Sequence, residues 1–189
     1  MNVTNITRKW KTIVAVTVGS CLICVSAYAA GAEKSNKYPA EPINEVEFYG
    51  NPASSIATGV SIPAGSSTLF TSGTVPPVLN KDGKTIYEKY GDTKAQGVGI
   101  LKEIEKQLND KGLTLADVAY LRVYVAADAA KEGKFDYQGW FDAYAQFFGT
   151  EANPVKPARS TVGVAGLVSS DWLIEIEAVA VYPKHHNQD

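Results

Sequence analysis

The sequence predicts an α+β domain in which two helices cover one face of a sheet. Three observations carry that reading. Short β-branched segments cluster before residue 75, apolar residues recur at three- and four-residue spacing from residue 92, and strand-like and helix-like segments then alternate to the end. In order, VEFYG at 46–50, SIATGVSI at 55–62 and STLFTS at 67–72 have strand composition. PPVLNKDGKTIYEKYG at 76–91 reads as a loop, with Asp82-Gly83 as its turn. Asp92 or Thr93 caps a helix whose inner face is Val98, Leu101, Ile104 and Leu108, interrupted by Glu105 and ended by Gly112. VAYLRVYVAA at 118–127 is a strand, and 135–148 a second helix with Trp140, Phe141, Tyr144 and Phe148 as an aromatic core face. ARSTVGVAGL and then WLIEIEAVAVYP at 172–183 close the domain as strands. The sheet face away from the helices needs a cover, and a second subunit is expected to supply it.

The composition, 45% hydrophobic and 20% charged over 189 residues, fits one globular domain. The first thirty residues differ in kind. MNVTNITRKWK carries Arg8, Lys9 and Lys11 with no acid, an apolar run follows, and Ala27-Tyr28-Ala29 supplies a small-x-small step. That order is a secretory signal peptide, cleaved after Ala29 or Ala30. The expected organisation is a signal peptide at 1–30, a flexible lead-in at 31–44, the domain at 45–183 and a polar tail at 184–189. The domain is then periplasmic or secreted, with no stable membrane partner. Two alternatives stay open: an uncleaved anchor from Thr12 to Ala30, and lipid attachment at Cys21, against which stand the apolar residues that follow it.

Cys21 and Cys24 both lie in the leader, so the exported chain has no disulfide, thiolate nucleophile or cysteine metal site. Losing the leader leaves 15 basic against 20 acidic residues, a net charge of about −5. A broad basic face is excluded, and nucleic acid with it. The histidines, His185 and His186, stand in the tail KHHNQD, so a Ser-His-Asp triad inside the domain has no base. There is no Walker loop, and GVG at 97–99 lies within a helix rather than after a strand.

The polar groups that remain are few. Arg159 stands in KPARSTVGVAGL at the start of a strand of small and β-branched residues, where a cation is costly unless an anion meets it. Its planar fork suits a carboxylate. Glu175 and Glu177 alternate with Ile174 and Ile176, which puts both carboxylates on one sheet face. The anion for Arg159 is either one of these glutamates or a ligand. Thr71-Ser72-Gly73-Thr74 is a strand running into a glycine turn, where Gly73 lets backbone N–H groups approach a ligand.

SGTVP at 72–76, Gln96 in the long helix, AYAQFF, PARSTVGVAGL and IEIEAVAV occur in the order and spacing of the RidA (YjgF) family of imine and enamine deaminases, which the chain resembles over residues 45–183. The resemblance implies a chorismate-mutase-like α+β fold assembled as a homotrimeric barrel with clefts between subunits, working on a small carboxylate substrate without metal or cofactor. It implies that Arg159 binds the carboxylate of a 2-imino acid and that Glu175 orients or activates the attacking water. Ser72, Gly73 and Thr161 are implied to line the pocket. The activity implied is hydrolytic deamination to a 2-oxo acid and ammonia; a periplasmic carboxylate binder without turnover and a purely structural trimer are the other classes. The sequence departs from its relatives in three places: Ile56-Ala57-Thr58 replaces a pocket tyrosine segment, Phe141 an asparagine, and Gly163 a glutamate of some members.

Overall fold

Two short strands, β1 (Glu47–Tyr49) and β2 (Gly59–Ser61), pair antiparallel near the start of the computed structural model, which describes residues 42–183. The leader, most of the lead-in and the tail with its two histidines lie outside the described residues. Strand β3 (Thr68–Phe70) follows, then helices α1 (Ile86–Tyr90) and α2 (Thr93–Asn109), strand β4 (Val118–Asp128), the two-residue β5 (Lys134–Phe135), helix α3 (Tyr137–Tyr144), β6 (Ala158–Val164) and β7 (Ile174–Val181). The main sheet runs β3-β7-β4, with β6 and then β5 along the far edge of β4. Among the described strand pairs only β4–β6 is parallel, and a single parallel bridge joins Ala57 to Ala158.

Alternation along β4 decides the two faces. Leu121, Val123 and Val125 are fully buried beneath the helices, while Tyr120, Arg122 and Tyr124 point the other way. From β7, Ile174, Ile176, Ala178 and Ala180 join the buried face, and Glu175 and Glu177 the opposite one. Helix α2 supplies Ile100, Leu101, Ile104 and Leu108 to the core, and α3 supplies Trp140, Ala143 and Tyr144. Each of the leucines and isoleucines contributes about 1.5–3 kcal/mol by leaving water. The helices can approach closely because Gly97 has no side chain: a Cβ there would sit 3.0 Å from that of Ala143. The glutamate-bearing face has no cover among the described residues, and Phe70 at its edge is 70% exposed.

The segment read as loop at 76–91 contains α1. Its signal is a capping box rather than an apolar face: Thr85 Oγ1 accepts from Glu88 N (3.2 Å), and Glu88 Oε2 accepts from Thr85 N (3.3 Å). Asp92 caps α2 as expected, accepting from Ala95 N at 2.8 Å. That helix stops at Asn109, and Gly112 (φ 73°) makes the left-handed turn just beyond. Helix α3 is shorter than predicted. Phe135 is taken by pairing with Ala127 in β5, Asp136 caps the helix through Gly139 N (3.1 Å), and residues after Tyr144 continue only as tight turns. Strands β6 and β7 likewise end three and two residues short of the predicted 167 and 183. Among the described residues no helix is long and apolar enough to cross a membrane.

Candidate active site

Parallel register with β4 sets the direction of Arg159. It pairs with Leu121, Thr161 with Val123 and Gly163 with Val125, so all three lie on the helix-covered face. The guanidinium carbon of Arg159 is 4.4 Å from the ring centre of Tyr144, 5.0 Å from that of Phe141 and 5.4 Å from that of Trp140. These cation–π contacts are worth about 0.5–2 kcal/mol each, yet they offer no hydrogen-bond acceptor. Arg159 Nη1 is buried with no partner, and so is Thr161 Oγ1 two residues along the same face. Burial pulls the arginine's pKa below its ordinary value, opposed by Tyr144, and burial pushes the Tyr144 phenol up to about 12. Arginine keeps its proton even so.

This cation opens into a cavity of ≈ 270 Å³ lined also by Ser54, Ser55, Phe141, Tyr144, Phe148 and Lys156, near the lower size limit of small-molecule sites. No acidic side chain lines it. The segment 51–57 forms one wall and is held from below. Tyr144 OH donates to Ser55 O (3.0 Å), and Lys156 Nζ donates to Pro52 O (2.9 Å) and Ser54 O (3.0 Å). Ala57 N donates to Lys156 O at 3.2 Å, which ties the same wall to the start of β6.

Glu175 and Glu177 share a face, as alternation predicts, but it is the face away from Arg159. Glu175 pairs in register with Tyr124, and Glu177 with Arg122. Arg122 Nη1 donates to Glu177 Oε2 (2.7 Å) and Tyr124 OH to Glu177 Oε1 (3.2 Å), so Glu177 is engaged. The alternative of an ion pair between Arg159 and either glutamate is thereby corrected. Within one chain β4 separates them, and Arg159 makes no ion pair among the described residues.

Glu175 lies beside the predicted glycine turn. Thr74 and Ile176 exchange backbone hydrogen bonds (2.8 and 3.1 Å), which brings Gly73 against the glutamate: a Cβ on Gly73 would fall 1.7 Å from Glu175 Oε1. The space that glycine leaves is filled by a carboxylate, where the sequence suggested room for a ligand against the backbone. Ser72, Gly73, Glu103 and Gln107 border a second hollow of ≈ 590 Å³. One chain thus brings together Arg159 with Thr161, and Ser72 and Gly73 with Glu175, but keeps the two sets on opposite faces. Sequence reasoning assigned Phe141 to the core and assigned no role to Lys156; Phe141 in fact stands 40% exposed at the cavity. Its place in the 140-141-144-148 stripe gave the face but not the depth. Among the described residues no group of histidine, cysteine or acidic side chains is arranged to hold a metal ion.

The family model described as Endoribonuclease L-PSP matches residues 59–182, from β2 to the end of β7. The chain belongs to the RidA (YjgF) family. A RutC family protein of Pyrococcus horikoshii is 33% identical over 138 residues, spanning 73% of this chain and 98% of its own. The 3-aminoacrylate deaminase RutC of Acinetobacter baylyi is 32% identical over 125 residues, spanning 66% and 87%. Among solved structures, a Rid-family protein of unknown function from Yersinia pestis superposes with a TM-score of 0.55 at 25% identity, covering 73% of this chain and 99% of that one. The mixed α+β sheet with its long helix is the RidA fold, and an imine or enamine deaminase is the broad class of activity to which the family and the RutC relative point.

Proposed function

We propose that the protein is a hydrolytic deaminase of reactive 2-imino and enamine acids, acting as an exported homotrimer whose sites are shared between protomers. The observation that carries this reading is the half-buried Arg159 side chain, which lines a cavity with no acid in its walls and has its buried Nη1 unpaired. An uncompensated cation in that setting is costly until an anion arrives, and a carboxylate answers the planar fork.

Arg159 and Thr161 of one protomer would hold the acid end of the substrate. Glu175 of a neighbour, beside Ser72 and Gly73, would meet the C=N carbon across the interface. Water adds to the iminium carbon while Glu175 takes its proton, the proton passes to nitrogen, the C–N bond breaks as the new hydroxyl gives its proton to Glu175, and a 2-oxo acid and ammonia leave, the ammonia carrying that proton off as ammonium. An enamine first takes a proton on carbon to become the same iminium. No redox step is needed, so positioning and proton handling supply the rate. The uncovered face bearing Glu175 supports a second copy as its cover, and the leader pattern of residues 1–30 supports export. The family description names an endoribonuclease, but Glu175 and the already paired Arg122 make that face a poor match for a phosphate backbone.

Imines generated in situ by an amino-acid oxidase, with ammonia or oxo-acid release followed over time, test the proposal. Arg159→Ala should lower kcat/KM about 100-fold or more; equal rates for it and the wild type would contradict the assignment. A second reading, a carboxylate binder without turnover, is favoured by the segment Ile56-Ala57-Thr58 and by Phe141, where the RidA resemblance leads one to expect a pocket tyrosine and an asparagine. It predicts saturable calorimetric heat with 2-oxo acids and no catalysis.

A further inference from the structure

We propose that the Arg159 cavity selects acids whose side chain is apolar and branched or aromatic, with Phe141 as the specificity-determining wall. This rests on the reading of Arg159 as a carboxylate anchor and deepens it to a substrate class. Several polar groups around the cavity are already occupied. Lys156, the other cation there, spends two of its three N–H donors on Pro52 O and Ser54 O. The Tyr144 hydroxyl proton goes to Ser55 O, and Ser54 Oγ accepts from Ile56 N at 3.2 Å. One Lys156 N–H and the hydroxyl protons of Ser54 and Ser55 stay free on the far wall, and beside the rings the free donor is the Arg159 guanidinium, whose Nη1 is buried without a partner. The cavity therefore offers one strong anion anchor with two unlike sides, the Phe141, Tyr144 and Phe148 rings on α3 and the turn after it, and Ser54, Ser55 and Lys156 opposite.

Phe141 is the exposed member of those rings. Trp140 and Tyr144 on the same helix are 0% and 2% exposed, whereas Phe141 is 40% exposed with its ring 5.0 Å from the guanidinium. A ligand whose acid group meets Arg159 must carry its side chain past that ring. An apolar side chain would remove the ring from water; a hydroxyl or second carboxylate lying against the ring would lose its own water and meet no donor on that side. Discrimination by one or more methylenes in an apolar pocket runs to about 10-fold or more.

Calorimetric titration of the full-length protein with pyruvate, oxaloacetate, 4-methyl-2-oxopentanoate and phenylpyruvate tests this without needing turnover. The last two should bind at least about 10-fold more tightly than the first two. Phe141→Asn should compress that range to about 2-fold, and Phe141→Leu should restore most of it; the ring's exposure lets both variants fold, as thermal melts will check. Oxaloacetate binding as tightly as the apolar acids, which would mean Lys156 reads a second charge, overturns the inference, as does an order unchanged in Phe141→Asn. Arg159→Ala separates this failure from that of the anchor. Acids that need Arg159 but show no apolar preference sink the specificity alone, and acids indifferent to Arg159, or no binding at all, sink both.

Discussion

Gly73→Ala is the sharpest probe of how the glutamate is held. The new methyl carbon would lie 1.7 Å from Glu175 Oε1, 2.7 Å from its Cδ and 3.1 Å from its Cγ, and these three side-chain atoms are its nearest neighbours. Non-bonded carbon needs about 3.5 Å, so the carboxylate oxygen must retreat by roughly 1.5–2 Å. The fold has no reason to suffer. The obstructing atoms are the end of a flexible side chain, and replacing glycine where alanine is sterically allowed stabilises by about 0.4–1 kcal/mol through the unfolded chain. Catalysis has every reason to suffer, because a misplacement of about 1 Å costs on the order of 100-fold. Steady-state assays with imines generated in situ should show kcat reduced about 100-fold, with the affinity for 2-oxo acids and the melting temperature preserved. An unchanged kcat, or a raised KM with kcat intact, would refute the placement of Glu175 as the group that handles water.

Tyr144→Phe removes the bond to Ser55 O while leaving the ring over Arg159. It should cost about 1 kcal/mol, a fall in Tm of about 3 °C, with faster amide exchange at residues 51–57. Asp136→Asn tests the cap of α3. Burial alone would raise the carboxyl's pKa, but Lys131 Nζ at 2.6 Å and the Gly139 N–H more than reverse this and hold it below the usual carboxylate range. A pKa lowered on folding stabilises above the unfolded value and ceases to do so as pH falls through the folded one. Urea melts should therefore show wild type ahead of Asp136→Asn at pH 7, with the gap closing below about pH 4. A gap that widens in acid would reverse the assigned sign.

Much of the fold was legible because its signals are local. The Asp92 cap with the Leu101, Ile104 and Leu108 spacing located α2, and the alternation of Glu175 and Glu177 with isoleucines located β7 and its two faces. Helix α1 escaped because five residues with a capping box and no buried face produce no periodicity. Helix α3 was overdrawn because its aromatic spacing continues past Tyr144, while Phe135 is drawn into a short hairpin with Ala127 by a two-residue strand too brief to show a pattern in the sequence. The site followed the same division. A lone arginine in a small-residue strand was readable as a cation in want of an anion. Which face it takes depends on its register with Leu121, a non-local fact, and that register separates it from both glutamates. Phe141 and Phe148 share a stripe in the sequence, but the cavity leaves one ring 40% exposed and the other 3%.

The separation of Arg159 from Glu175 leads to the most direct test. Arg159→Ala and Glu175→Gln should each be nearly inactive alone. When equal amounts are unfolded and refolded together, random assembly in a closed ring pairs an intact arginine with a neighbour's intact glutamate in about one site in four. Recovery of about a quarter of wild-type activity is the expected result, and a mixture no more active than its two components would contradict a site shared between chains.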